Sequence, residues 1–187
     1  LTLRRAFRSA DAKGGLLLKA SAVEPDVRVD TTETLSLGED RTVLAVNATM
    51  VITRAGIFRV SFVLPTGLDV ESISGAAVSH WTELKATEGR IITLHLKGKT
   101  EGQQQFTVNL AGPGLKAAKG LAVPRLAFRE AGKQRGQRVI VPEQGMRLQV
   151  ATRDGMTQLD PQKSGIRQKG VLAFRLLQSD WNLTLDL

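Results

Sequence analysis

Apolar and polar residues alternate along most of this chain. Side chains of a β-strand point to opposite faces in turn, so an alternating segment predicts a strand with one buried face and one wet face. Antiparallel sheets commonly have this two-sided character. Six segments show it, with the apolar sets Leu44/Val46/Ala48/Met50/Ile52, Phe58/Val60/Phe62/Leu64, Ile92/Leu94/Leu96, Phe106/Val108/Leu110, Met146/Leu148/Val150 and Trp181/Leu183/Leu185/Leu187.

Turn-forming residues separate these segments at intervals of about 8 to 12 residues, which is typical of sandwiches and barrels. Helical patterning is almost missing. The best candidate, "LKAAKGLA" at 115–122, is short and contains a glycine, so it accounts for one turn at most. The sequence therefore predicts an all-β fold with almost no helix: an antiparallel β-sandwich, elongated or divided into two consecutive sandwich subdomains.

The clearest compositional break is "AGPGLKAAKGLAVP" at 111–124, which has three glycines, two prolines and little alternation. We place a boundary there. The predicted division is a β-sandwich domain at 1–114, a linker or crossover at 115–124 and a second β subdomain at 125–187. The second subdomain either completes the first or opens a following module.

The tetrapeptide Leu64-Pro65-Thr66-Gly67 looks at first like a cell-wall sorting signal. That signal has one more residue between its proline and threonine, and an apolar segment with a basic tail follows it near the chain end. Here predicted strands follow instead. We interpret the tetrapeptide as the end of a strand, because Pro65 cannot donate to a ladder and Gly67 lets the chain reverse.

Residues suited to catalysis are few. The two histidines, His80 and His95, have no third ligand in a metal-binding spacing, and the chain contains no cysteine. Asp69 and Glu71 could share a strand face, as any protein of this size would allow. We expect no catalytic residue, no metal and no cofactor, and we interpret the chain as a protein other than an enzyme.

Basic charge is the strongest chemical signal. The 187-residue chain has a formal net charge of +8, and only Glu130 opposes the basic residues of 116–138. These candidates for binding are Lys116, Lys119, Arg125, Arg129, Lys133, Arg135 and Arg138. They predict contact with a protein or an anionic polymer such as a glycan or envelope component, while a solvated loop is the alternative. Nucleic acid is not favoured, because only Phe128 interrupts the cluster as an aromatic.

A carbohydrate-binding platform is a separate hypothesis, because sugars stack on exposed aromatic rings. The chain has two tryptophans and no tyrosine. Trp181 falls in the apolar register of its segment and is assigned to the core. Trp81 remains the candidate for sugar binding.

The phrases "AGIFRVSFVLPTGLDVESISGAAVSHW", "GRIITLHLKG" and "VLAFRLLQSDWNLTLDL" resemble large bacterial envelope proteins with repeated β-sandwich modules. The resemblance implies an extracytoplasmic location and implies nothing about mechanism. No apolar run approaches the roughly 18 residues that span a bilayer. We expect a fragment or mature form of a longer protein. Its expected function is that of a non-catalytic structural or interaction module of a secreted or envelope protein. The alternative is a carbohydrate-binding or accessory domain of a glycan-processing protein.

Overall fold

The computed structural model describes residues 8, 10, 13, 15, 17, 19–115, 119–161 and 169–187. This part of the chain forms strands and no helix, so the prediction of an all-β fold is confirmed. The strands are β1 (Asp26–Leu37), β2 (Arg41–Val63), β3 (Asp69–Ser74), β4 (Val78–Ala86), β5 (Gly89–Pro113), β6 (Leu121–Ala122), β7 (Lys133–Pro142), β8 (Gln149–Asp154), β9 (Met156–Leu159), β10 (Leu172–Leu176) and β11 (Asn182–Asp186).

The strands form two sheets. The larger sheet has the order β3-β5-β2-β1-β7-β10-β9, and β4 also pairs with β5. The smaller sheet has the order β6-β11-β8. All pairings among these described strands are antiparallel except one. Strands β1 and β7 run parallel, from Arg28↔Lys133 to Leu37↔Pro142. The antiparallel prediction is therefore correct apart from this pair.

The β2–β5 ribbon forms the centre of the larger sheet and folds over on itself. Its register is interrupted between Ile52 and Ile57, where Arg54 has a φ of 71°. Arg90, near the start of β5, donates to the carbonyl of Leu68 at 3.3 Å. Asp69, which follows Leu68 in the chain, pairs with Ala111 near the end of β5. The two ends of the ribbon therefore lie close together, with the apolar face between them.

The predicted apolar faces are largely confirmed. The sets Leu44–Ile52, Ile92–Leu96 and Phe106–Leu110 are buried at the alternate positions that the pattern selected. Trp181, Leu183 and Leu185 are also buried. Met146, Leu148 and Val150 are only half-buried, because the short strand β8 begins at Gln149 and lies at the edge of the smaller sheet.

The sequence pattern placed Phe58 on the buried face of its strand, and this prediction is wrong. Its side chain is 62% exposed, whereas the neighbouring Ile57 is buried. The β2–β5 register shifts between Ile57 and Arg59, and such an irregularity exchanges the faces on which successive side chains lie. The regular alternation resumes at Val60 and Phe62, which are buried as predicted.

The tetrapeptide Leu64-Pro65-Thr66-Gly67 forms a turn, as predicted. Strand β2 ends at Val63, and the amide of Leu68 donates to the carbonyl of Pro65 at 3.2 Å. Gly67 has a φ of +81°, a left-handed conformation that favours glycine. The turn leads directly into β3.

Strands from both sides of the predicted boundary share the larger sheet. Strand β1 lies in the predicted first domain, and β7, β9 and β10 lie in the predicted second subdomain. Strand β11 pairs with β6 and β8. The division at 115–124 stays a prediction, and residues 116–118 of that segment lie outside the described part of the chain.

Candidate functional site

A cleft of about 810 Å³ opens beside the turn after β2. One end of the β2–β5 ribbon contributes Thr42 and Pro113, and the other end contributes Val63, next to Glu88 of the β4–β5 turn. The second half of the chain supplies the opposite wall through 121–125, 127–129 and 180–182. The cleft therefore depends on contacts between residues far apart in sequence. Its apolar lining includes Leu37, Leu64, Leu68, Leu115, Val123 and Phe128.

The wall at 127–128 is fixed by one buried side-chain amide. The side chain of Gln134 accepts a hydrogen bond from the amide of Phe128 at 2.9 Å and donates to the carbonyl of Leu126 at 2.9 Å. Phe128 also packs edge-on against Phe62, with ring centroids 5.9 Å apart. A side chain thus pairs two backbone groups of this segment, and an antiparallel bridge between Phe128 and Phe62 joins the segment to β2.

A buried ion pair supports the wall at Trp181. Arg138 and Glu33 are both fully buried, and Arg138 Nε donates to Glu33 Oε2 at 2.7 Å. Arg138 also donates to the carbonyl of Pro124, and its guanidinium lies 4.6 Å from the centroid of the Trp181 ring. Pro124 and Trp181 both line the cleft, so this cation positions two parts of its wall.

The assignment of Arg138 to a binding surface is therefore wrong. Its side chain has no exposed surface, and its charge is matched by Glu33 inside the protein. A charge in the interior needs such a partner, because desolvation would otherwise strongly disfavour it. Arg138 is part of the core.

The other basic candidates are distributed over several elements. Lys116 lies outside the described residues, and Lys119 is exposed beside Gly120, whose amide donates to Asp186 at 2.7 Å. Lys133 is exposed at the start of β7. Arg135 pairs with Asp30 at 2.7 Å, and hydrogen bonding from this carboxylate raises the pKa of Arg135 above its ordinary value. The structure brings Arg125 and Arg129, and not the whole set, to the cleft.

The charges at the cleft are balanced in sign. Arg129 pairs with Glu88 at 3.0 Å, and Arg125 donates to the carbonyl of Trp181 at 3.0 Å. Asp180 also lies at the cleft. Within the described residues, Arg125 has a hydrogen bond to a carbonyl and no ion pair.

Thr42 is a polar residue that the sequence reasoning missed. It lines the cleft and is only 4% exposed, and its hydroxyl has no hydrogen-bond partner among the described residues. Buried polar atoms are nearly always paired, so an unpaired one requires an explanation. The alternation pattern indicated that Thr42 is buried, because Thr42 lies on the same face of β2 as Leu44 and Val46.

The histidines and Trp81 lie elsewhere, around β4. His80 and His95 are cross-strand neighbours with stacked rings, 4.6 Å between centroids and 7° from parallel. Thr82 Oγ1 lies 2.9 Å from His95 Nε2. Trp81 is 39% exposed on the same strand. No cluster of three or more metal-binding side chains occurs within the described ranges.

Asp69 and Glu71 do not converge as a pair of free carboxylates. Asp69 binds Arg90 at 2.6 Å, whereas Glu71 binds Arg41. Arg90 also binds Glu83 at 2.6 Å, and this hydrogen bond lowers the pKa of Glu83 below its ordinary value. The two carboxylates raise the pKa of Arg90 in return. These contacts connect β4, β5 and the start of β3.

No helix in the described part has the length and apolar character needed to cross a bilayer. No protein-family model matches the chain, and no curated protein matches it either.

The fold is similar to that of solved hydrolase structures. Native yeast LTA4 hydrolase matches with a TM-score of 0.52 and 8% identity over 88% of this chain and 29% of its own. Leukotriene A4 hydrolase from Saccharomyces cerevisiae matches with a TM-score of 0.51 and 10% identity over 86% of this chain and 29% of its own. An M1 zinc metallopeptidase from Deinococcus radiodurans matches with a TM-score of 0.48 and 14% identity over 87% of this chain and 42% of its own. The chain thus spans less than half the length of each of these structures.

Proposed function

We propose that this chain is a non-catalytic structural or interaction module of a larger protein, and that its cleft is the principal contact site. The observation that carries the proposal is the fold match to yeast LTA4 hydrolase, which covers 88% of this chain and 29% of the other. At 8% identity the match concerns the fold alone. It supports the interpretation that this β fold serves as one part of a longer polypeptide.

The cleft supports an interaction role. Its volume of about 810 Å³ lies within the range of known binding sites, roughly 300 to 1,000 Å³. Apolar walls with a few polar groups are also characteristic of such sites. Gln134 and Arg138 hold these walls from behind with buried hydrogen bonds, so the site is preformed.

The finer assignment, a secreted or envelope protein that contacts an anionic partner, rests on the sequence resemblance and on the basic residues. Lys119, Arg125 and Lys133 are exposed, and within the described part of the chain they form no ion pair. Among the candidate cations of 116–138 that the structure describes, these three are available to an anionic glycan or envelope component. Carbohydrate binding is the second candidate, supported by the partly exposed ring of Trp81. A glycan array with the wild-type chain and Trp81→Ala tests it, and equal signals from both would oppose it.

Enzymatic turnover by the purified chain tests the main proposal. Suitable substrates are aminoacyl-coumarin amides, p-nitrophenyl esters and p-nitrophenyl glycosides, with a heat-unfolded sample as the background. We expect rates equal to that background. Turnover that increases with the concentration of folded chain, and that is lost on unfolding, would contradict the non-catalytic role.

A further inference from the structure

We propose that the cleft binds an extended peptide segment that adds as a strand beside β6, with alternate apolar side chains against the cleft walls. The inference rests on the proposed role as an interaction module and specifies its partner. Three features of the cleft support it: an edge strand with outward-facing backbone groups, the unpaired hydroxyl of Thr42 and the arrangement of charges around the opening.

The first feature is the backbone of Ala122. Strand β6 is an edge strand with β11 as its neighbour in the described sheet, and Ala122 is opposite Thr184. The amide of Val123 donates to the carbonyl of Leu183 at 2.9 Å. In an antiparallel ladder, hydrogen-bonded and non-hydrogen-bonded pairs alternate. Because Val123 bonds to β11, the N–H and C=O of Ala122 face away from β11, and Ala122 is one of the residues that line the cleft.

A donor and an acceptor on one exposed edge residue are the groups that bind an added strand. An extended peptide can pair with both groups of Ala122 at once. Its side chains then alternate between the cleft and solvent at about 3.3 Å per residue. Val123, Leu64 and Trp181 provide apolar surface for the inward set.

The second feature is Thr42. Thr42 lines the cleft, and its hydroxyl oxygen is buried without a partner in the described part of the protein. Rotation of the Thr42 side chain about χ1 would turn this hydroxyl toward the cleft, where a peptide carbonyl or amide can pair with it while the peptide side chains stay in apolar surroundings. An alkyl chain in the same place would leave the hydroxyl and the Ala122 backbone unpaired, which is costly in a dry site. These polar groups favour a peptide over a lipid.

The third feature is charge. Glu88 neutralises Arg129, whereas Arg125 donates to the carbonyl of Trp181 and forms no ion pair among the described residues. A partner with an acidic residue facing Arg125 would complement this site. The sequence class we infer is therefore an extended segment with apolar residues at every second position and an acidic residue beside them.

Selection from a phage-displayed library of random nine-residue peptides, followed by titration of synthetic copies, tests the inference. The Trp81→Phe variant leaves Trp181 in the cleft wall as the sole tryptophan, so its fluorescence reports binding. We expect selected peptides to have the alternating apolar pattern. Thr42→Val should weaken their binding about fivefold, in line with one lost hydrogen bond.

Ala122→Pro is the decisive variant. Proline removes an N–H that faces away from β11, so the β6–β11 ladder is preserved, and binding should weaken about tenfold. Ala122→Ser keeps the N–H and should bind as the wild type does. A thermal melt of each variant confirms that it is folded.

Two results would overturn the inference. One is that no selected peptide binds the wild type more tightly than it binds Ala122→Pro. The other is that dodecanoate displaces the peptides with an affinity that Ala122→Pro leaves unchanged. Each can occur while the purified chain shows no turnover. Failure of the peptide site is thus distinguishable from failure of the proposed non-catalytic role.

Discussion

The guanidinium of Arg138 lies 4.6 Å from the centroid of the Trp181 ring, and both side chains are buried. Arg138 belongs to β7 of the larger sheet, whereas Trp181 immediately precedes β11 of the smaller sheet. Glu33 of β1 balances the charge from the other side. One cation thus joins the two sheets and fixes the wall of the cleft.

Removal of this cation should strongly destabilise the fold. Arg138→Met leaves the carboxylate of Glu33 buried without its partner, and we expect a loss of about 3 to 5 kcal/mol in the free energy of unfolding. The double variant Glu33→Met/Arg138→Met removes both charges and should lose less than the single variant. Urea unfolding measures both. Arg135→Gln, which breaks an exposed ion pair, is the control and should change stability by less than about 1 kcal/mol.

Thr42→Val should stabilise the protein while it weakens the proposed peptide binding. The substitution replaces an unpaired buried hydroxyl with a methyl group of similar shape, and we expect a gain of about 1 kcal/mol. Thr31→Val is the matched control, because Thr31 is equally buried but its hydroxyl donates to Glu33 at 3.0 Å. That control should lose stability in the same urea experiment. A loss of stability in Thr42→Val would show that its hydroxyl has a partner.

The contact between Glu83 and Arg90 should give a stability contribution that disappears in acid. The hydrogen bond from Arg90 lowers the pKa of Glu83, so this contribution is present above the unfolded-state pKa and is lost as the pH falls through the lower folded-state value. NMR titration of the Glu83 carboxyl carbon measures the midpoint. In Arg90→Gln the midpoint should move upward. An unchanged midpoint would mean that Arg90 does not stabilise the ionised carboxylate.

Binding to a polyanion should depend on the cations without ion-pair partners. Affinity for heparin should fall as salt is added, because bound counterions are released on association. The variant Lys119→Gln/Arg125→Gln/Lys133→Gln should bind more weakly and show a flatter salt dependence. The double variant Arg129→Gln/Arg135→Gln alters only cations that already pair with carboxylates, and its loss of affinity per charge removed should be smaller. Equal losses per charge removed in the two variants would argue for a diffuse effect of net charge.

The strands could be predicted because alternation records burial directly. It failed at Phe58, where an irregularity in the β2–β5 pairing exchanges the two faces, and no residue pattern marks such a shift. Arg138 was counted with the surface cations because charge is usually solvated. Its position in β7, in phase with buried Gln134 and Ile140, was the available sign of burial.

The cleft could not be predicted from local patterns. Thr42, Leu64 and Trp181 meet there only because the β2–β5 ribbon folds over and the second half of the chain packs against it. The parallel pairing of β1 with β7 likewise depends on tertiary contacts, since alternation does not specify a neighbour. Turn chemistry was local and therefore predictable, as the left-handed Gly67 illustrates.

The proposals for the cleft require that the two halves of the chain form one body, because the cleft takes its walls from both. The pairing of Thr32 in β1 with Gln137 in β7 tests this most directly. The chain has no cysteine, so Thr32→Cys/Gln137→Cys contains a single thiol pair, and the two exposed positions are neighbours on adjacent strands about 4.8 Å apart. Dibromobimane should cross-link the folded variant and join the two halves after proteolysis within 115–124. Reaction of both thiols without a cross-link, under conditions where the variant is folded, would contradict the shared sheet and the cleft built on it.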